Sequence, residues 1–348
     1  MSANESKLAA SKSPLRMKKD NHILTIIALM LLVCIIMLIL KPGSYFTVLN
    51  VRSMIFQFPE YGVLALGMMA CMIAGGIDLS LVGIMNLSGV LAALIVKNMV
   101  LIEGGEVANP AMVVPAIVLA CVVAVVVGAA CGAFNGFIIG YFGLPAMLVT
   151  LCGLQLYTGL AYGITGGPAI NGMCDAFKNI ANGTVAGIPY VLFIFIAVVA
   201  VVVFIMKCTV FGHEIYFLGS NAQAAMYSGI NTLKVTIMTY MFSGILGGIS
   251  GILITSHLNS AKSSNGSTYT LLSLLIVVLG GVHPDGGKGR VAGVVLAVLL
   301  LQMIANAFGL MHMSDNAKTF ANGCLLIAAL VLSVVLEKRE AQKAAAAS

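Results

Sequence analysis

The chain has 348 residues, 60% of them hydrophobic and 9% charged, with a mean hydropathy of +1.06 and a formal net charge of +6. A soluble domain carries about 25% charged residues, so this composition excludes one and makes lipid the solvent. The apolar runs are continuous rather than alternating in segments of about ten residues, which argues against a β-barrel. The expected fold class is an all-α polytopic membrane protein.

Residues 1–22 form a polar, basic tail. The apolar run after it is long for a signal sequence and lacks a small-x-small cleavage site, so it is read as a retained span. Windows of about 18–20 apolar residues place about ten spans within a transmembrane domain over 23–336. They lie near 23–40, 58–75, 82–98, 111–140, 146–164, 188–206, 233–255, 268–283, 290–309 and 317–336. Residues 46–57 are too short and too charged to span, and an interfacial or re-entrant helix is expected there. The series Gly128, Gly132 and Gly136 predicts close helix packing. The loop 165–187 is Gly/Asn-rich and a short helix is expected near 174–181, read either as a contact for a partner protein or as a solvated connector. Residues 337–348 form a solvated tail.

Basic residues orient the chain. With the N-terminus inside, Lys41, Arg52, Lys97, Lys178, Lys262 and Lys318 fall outside, and the other twelve of the 18 Lys and Arg fall inside. Both termini and the loops 207–232 and 284–289 are then cytoplasmic. The eight cysteines include no CxxC and mostly lie in apolar runs, where they read as small buried hydrophobes. There is no HExxH among the five histidines. No catalytic, metal or cofactor residue is assigned, and no nucleic-acid partner is expected.

The stretch GGVHPDGGKGR (280–290) invites comparison with a phosphate loop. A Walker A sequence, G-x-x-x-x-G-K-[ST], requires a glycine where Val282 stands and a hydroxyl where Gly289 stands. A gapless shift of 205 residues lays LGMMACMIAGGIDLS (66–80) on LLSLLIVVLGGVHPD (271–285), with Gly75 and Gly76 on Gly280 and Gly281. The twin turn has no lysine. Both turns therefore read as helix–turn–helix hinges, with Asp78 or Ser80 capping the next helix. A parallel internal repeat is expected.

Four stretches carry a family resemblance. AGGIDLSLVGIMNLSGVLAALI (74–95), GFIIGYFGLPAMLVTLCGL (136–154), KCTVFGHEIYFLGSNAQAAMYSGI (207–230) and VVLGGVHPDGGKGRVAG (277–293) resemble, in order, the motifs of ribose- and galactose-type ABC transporter permeases. Two departures stand out: one extra residue before Gly83, and His283-Pro284-Asp285 in place of small and hydroxylic residues. The resemblance implies a bacterial inner-membrane importer in which two permease subunits, identical or related, form the path. It implies a cytoplasmic ATPase with tandem nucleotide-binding domains that holds the ATP and Mg. It also implies a periplasmic or lipoprotein solute-binding protein that delivers the solute.

The candidate working parts follow. Ser220 or Asn221 is placed to cap a short helix through Ala224 and Ala225, ended near Ser228 and Gly229. Such a helix can dock in a groove of the ATPase, or the segment is an ordinary connector. Asp78, Asn86, Asn135, Gln155, Tyr157, Gln302 and Asn306 are polar positions at or within spans. Each either lines a solute path or makes interhelical hydrogen bonds. The functional expectation is a permease subunit of an ABC importer for a small sugar or sugar-like polar solute. The rivals are an ion-coupled secondary transporter and a membrane enzyme. The first needs paired intramembrane charges, and mid-span charge is nearly absent in the sequence.

Overall fold

A computed structural model describes residues 21–100, 110–314, 316–327 and 331 of the chain. Among these residues eight helices are long and apolar enough to cross a membrane. They are α1 (Asn21–Leu40), α2 (Val48–Ile73), α3 (Leu81–Val100), α4 (Val113–Phe142), α5 (Ala146–Thr165), α7 (Tyr190–Cys208), α10 (Thr232–Leu258) and α12 (Val291–Leu310). Four shorter helices join them: α6 (Asp175–Asn182), α8 (Val210–Ser220), α9 (Ala222–Tyr227) and α11 (Tyr269–Leu279). The chain is helical again over 316–327, the first part of the tenth expected span. The rest of that span and most of the two tails lie outside the described residues.

Two expectations are corrected. The expected span at 268–283 is the 11-residue helix α11, about 16 Å at 1.5 Å per residue against a hydrocarbon core of about 30 Å. It is a half-helix. Residues 46–57 are not a separate re-entrant element. Thr47 caps a continuous helix by accepting from Asn50 N at 3.3 Å, and that helix runs through Pro59 to Ile73. Its polar residues are tolerated because α12 pairs them: Asn50 and Asn306 exchange bonds of 2.8 and 2.9 Å, and Gln302 donates to Gln57 at 3.3 Å.

Helices α2, α3 and α10 are enclosed by the others, whereas α1, α4, α5 and α7 turn most of their side chains outward. Lipid gives helices no hydrophobic drive to associate, so close backbone packing must supply it. The most extensive contact, α4 on α10, is built that way. A Cβ added to Gly132 would lie 2.1 Å from Tyr240 O, and one added to Gly244 would lie 2.1 Å from Gly128 O. A Cβ on Gly251 would meet Met85 O of α3 at 2.4 Å.

The ends of the helices form two faces. On one, His22 at the start of α1 bonds Leu279 O at the end of α11, beside the turns 74–80 and 280–290 and the pair α8–α9. On the other, Ile170 pairs with Ala261 and Asn171 with Ser260, while α6 is fastened by Ser256, whose hydroxyl donates to Phe177 O at 2.8 Å. The short helix expected near 174–181 is thus α6.

Gly132→Leu places a side chain against the α10 backbone, where nothing flexible gives way. Overpacking of this kind costs typically 1–3 kcal/mol, and two fixed backbones put this site at the upper end of that range. The expected result is a lowered thermal midpoint and reduced yield in detergent, read by fluorescence-detected size exclusion. Gly159→Leu, whose added Cβ meets nothing within 4 Å, serves as the tolerated control.

Candidate functional site

The turns after α2 and α11 have the same local geometry. Each helix ends in a right-handed cap residue, Ala74 or Gly280, followed by a left-handed glycine, Gly75 (φ +89°) or Gly281 (φ +82°). Gly76 N returns to Cys71 O at 3.0 Å and Val282 N to Val277 O at 3.2 Å, the bonds of a Schellman cap. The structural match is therefore offset by 206 residues, one more than the gapless alignment, and it is local, since α2 has 26 residues and α11 has 11. Gly76 and Gly280 are needed for space. A Cβ on Gly76 would lie 2.3 Å from the Tyr240 hydroxyl, and one on Gly280 would lie 2.8 Å from Val294 Cα.

Much of the loop 280–290 is engaged within the protein rather than gathered into a phosphate cradle: Gly287 N donates to Ile73 O at 2.8 Å, Gly286 N to His283 O at 3.0 Å and His283 N to Lys288 O at 3.0 Å. Instead the loop is a bracket. Gly219 of α8 sits so close that an added Cβ would lie 1.8 Å from Ile73 O and 2.7 Å from Gly287 N. Tyr216 donates to Gly289 O at 2.9 Å, and burial pushes its phenol pKa up, keeping it a neutral donor. The end of α2, the loop 280–290 and α8 are thereby one mechanical unit.

The candidate coupling segment hangs from this unit. Asn221, rather than Ser220, caps α9, its side chain accepting from Ala224 N at 2.9 Å. Ser220 instead donates back to Tyr216 O at 2.8 Å. Ala225 is buried beneath the helix, Ser228 closes it with a bond to Ala224 O at 2.8 Å, and Gly229 (φ +83°) turns the chain away. Met226 and Tyr227 remain 55% and 84% exposed. An apolar tip held out by a capped helix is a docking feature in form.

The polar span residues fall into separate sets. Asp78 is fully buried and accepts from Ser80 N (3.1 Å), Ser80 Oγ (2.5 Å) and Ser243 Oγ (2.8 Å). Asn135 donates to Ser80 Oγ at 2.8 Å and accepts from the Tyr157 hydroxyl at 2.8 Å. This network ties the start of α3 to α4, α5 and α10. Asn86 donates to Ser263 O at 2.8 Å, in the chain leading to α11. Gln155 is exposed on α5 and joins none of these sets. Gln302 accepts from the Tyr61 hydroxyl, and Asn306 pairs with Asn50, both beside the opposite face.

Three participants went unremarked in the sequence: Glu60, His257 and Tyr269. Glu60 is buried in α2, its carboxylate accepting from His257 Nδ1 of α10 and from the Tyr269 hydroxyl of α11 at 3.2 Å. Glu60 is one buried acid within α2, and its partner His257 stands in the last turn of α10. The signal was an acid directly after Pro59 in an apolar run. Among the described residues no cluster of three or more His, Cys, Asp or Glu could hold a metal.

Eight long apolar helices, enclosed polar networks and the half-helix α11 define a multi-pass membrane protein. The chain belongs to the family described as branched-chain amino acid transport system / permease component, which matches residues 50–330. It is 32% identical to the ribose import permease protein RbsC of Haemophilus influenzae over 88% of this chain and 90% of the relative. It is 32% identical to the Bacillus subtilis ribose import permease protein over 86% of this chain and 88% of that one. It is 26% identical to the L-arabinose transport system permease protein AraH of Escherichia coli over 90% of each. No solved structure matches it.

Asp78→Ala removes the acceptor for three buried donors. An orphaned buried polar group costs about 1–3 kcal/mol, so the thermal midpoint of the purified chain in detergent should fall by more than for Asp78→Asn, which keeps one carbonyl oxygen. Equal midpoints for the two variants would contradict the network role.

Proposed function

We propose that the chain is the membrane-spanning permease subunit of an ABC importer for a small sugar or sugar-like solute. The similarity to ribose and L-arabinose import permeases along most of the chain carries this reading. In it, two permease subunits enclose the path and alternate their access. A cytoplasmic ATPase with tandem nucleotide-binding domains holds ATP and Mg, a solute-binding protein delivers the solute outside, and the solute leaves chemically unchanged. The face bearing α8, α9, the two glycine turns and the start of α1 is cytoplasmic, as are both termini. The face bearing α6 and the end of α10 is external.

The coupling role rests on geometry. Motion of α9 reaches α8, and α8 bears on Ile73 and Gly287 without an intervening side chain. Force from a docked ATPase thus enters the ends of two membrane helices directly. A single acid–histidine pair, buried and mutually bonded, is a weaker basis for ion coupling than this linkage is for ATP coupling.

Ala225 tests this better than Ala224. Ala224 N only meets the Asn221 cap, whose loss typically costs about 1 kcal/mol, whereas Ala225 N donates to Asn221 O at 3.0 Å within the helix. Proline at 225 should cost roughly 3 kcal/mol or more. In the assembled complex, Ala225→Pro should abolish uptake and solute-stimulated ATP hydrolysis while membrane insertion persists. Normal uptake by this variant would make α9 a connector. In intact cells, a cysteine at 223 or 227 should resist a membrane-impermeant maleimide and react only after permeabilisation. Labelling from outside would invert the topology.

A further inference from the structure

A cavity of about 770 Å³ opens on the face opposite the coupling helices. Its volume lies within the range of small-molecule sites, about 300–1,000 Å³. Its polar wall is formed by Asn50, Arg52, Ser53 and Gln57 of α2 together with Asn182 and His257. Behind this wall lies a second, buried layer that orients it. Glu60 holds His257 Nδ1, which turns Nε2 away from the carboxylate. Tyr269 holds the other carboxylate oxygen at 3.2 Å. Gln302 is fixed by the Tyr61 hydroxyl and in turn donates to Gln57 Oε1, while Gln57 Nε2 donates to Ser53 Oγ at 3.2 Å. Asn306 locks the Asn50 amide.

This arrangement does more than satisfy buried groups. A buried acid–histidine pair is weak evidence for a purely stabilising role, since apolar residues of similar volume often serve stability as well. Instead, amides, a hydroxyl, an imidazole and a guanidinium face one space, and several are set in orientation by partners behind them. Preorganised donors and acceptors around a cavity suit a ligand made of hydroxyl groups, each of which both donates and accepts. Arg52 leans on the Phe56 ring, 5.8 Å from its centroid, an amphipathic surface of the kind that meets a sugar's C–H and O–H faces together.

We infer that this cavity is a receiving subsite for a neutral polyhydroxylated solute on the external face, with Asn50, Ser53, Gln57 and His257 touching it and Glu60 and Gln302 positioning them. The inference rests on the transport reading above and names where that solute first meets this chain. Helix α2 joins the subsite to Ile73 at the other face, so the two functions lie at the ends of one helix.

The test uses the full complex, with binding protein and ATPase, in proteoliposomes with labelled D-ribose or L-arabinose outside. Gln57 is exposed, so Gln57→Ala should fold. It should lower initial uptake roughly ten-fold, the loss of about one oriented hydrogen bond, and Glu60→Gln should do the same through His257. ATP hydrolysis stimulated by the loaded binding protein should stay within about two-fold, which a merely misfolded or uncoupled subunit would not preserve. In a second arm, the Ser53→Cys variant of a chain whose native cysteines are replaced is exposed to a maleimide, and the transported sugar should slow its modification. Suppose the unsubstituted complex takes up sugar, yet sugar leaves the Ser53→Cys variant unprotected and Gln57→Ala transports normally. That result would overturn the subsite alone. Protection by a sugar acid but not by the neutral sugar would overturn the ligand class, assigning the wall to anions through Arg52. If the unsubstituted complex takes up neither sugar, the transport reading fails, and the subsite falls with it.

Discussion

The carbonyl of Ile73 is where the structure's constraints meet. A helix that ends inside a bundle leaves backbone groups with no water to satisfy them. Ile73 O is met by Gly287 N at 2.8 Å, and the same spot is packed by Gly219, where no side chain fits. One hydrogen bond and one bare α-carbon join the end of α2, the turn after α11 and the helix that carries α9. The glycines are there because backbone must touch backbone. This also explains a loop that looks nucleotide-binding and is not. Its Gly287 N–H faces another helix end rather than a phosphate.

The polar residues of the bundle divide the labour by depth and face. The Asp78 network fixes α3, α4, α5 and α10 around the first turn, with hydroxyls and amides arranged so that each donor has an acceptor. The network on the opposite side, around Glu60 and Gln302, borders open space. Burial alone does not distinguish the two, since Asp78 and Glu60 are both enclosed. What differs is where each hydrogen-bond chain leads. The Asp78 chain reaches the edge of an apolar hollow only at Asn135, 1% exposed, and the Glu60 chain leads to a polar cavity wall. Between them runs α2, 26 residues and about 39 Å of unbroken helix.

Much of this was legible in the sequence, for identifiable reasons. Composition decides between water and lipid without any structure. The cap Asn221, the stop at Gly229 and the helix near 174–181 follow local rules that tertiary context did not override. What was hidden depended on partners far along the chain. Asn50 and Gln57 look unfit for a membrane helix until Asn306 and Gln302 are placed beside them. Helix α11 is an apolar run of ordinary appearance, yet it begins only at Tyr269, after a non-helical stretch held by Asn86 at Ser263 O. Glu60 stands out locally only as an acid in an apolar run; its role depends on partners 197 and 209 residues away. The offset between the two glycine turns differs by one residue from the sequence alignment because Ala74 does in one turn what Gly280 does in the other.

Whether this chain moves solute with energy supplied by another subunit is decided most directly by uptake of labelled pentose into proteoliposomes with defined components and defined ion gradients. Uptake is expected only when the ATPase, ATP and the loaded binding protein are all present, undiminished when ionophores collapse the proton and sodium gradients. Accumulation by this chain alone under an imposed ion gradient, or ATP hydrolysis by the purified chain without its ATPase, would contradict it.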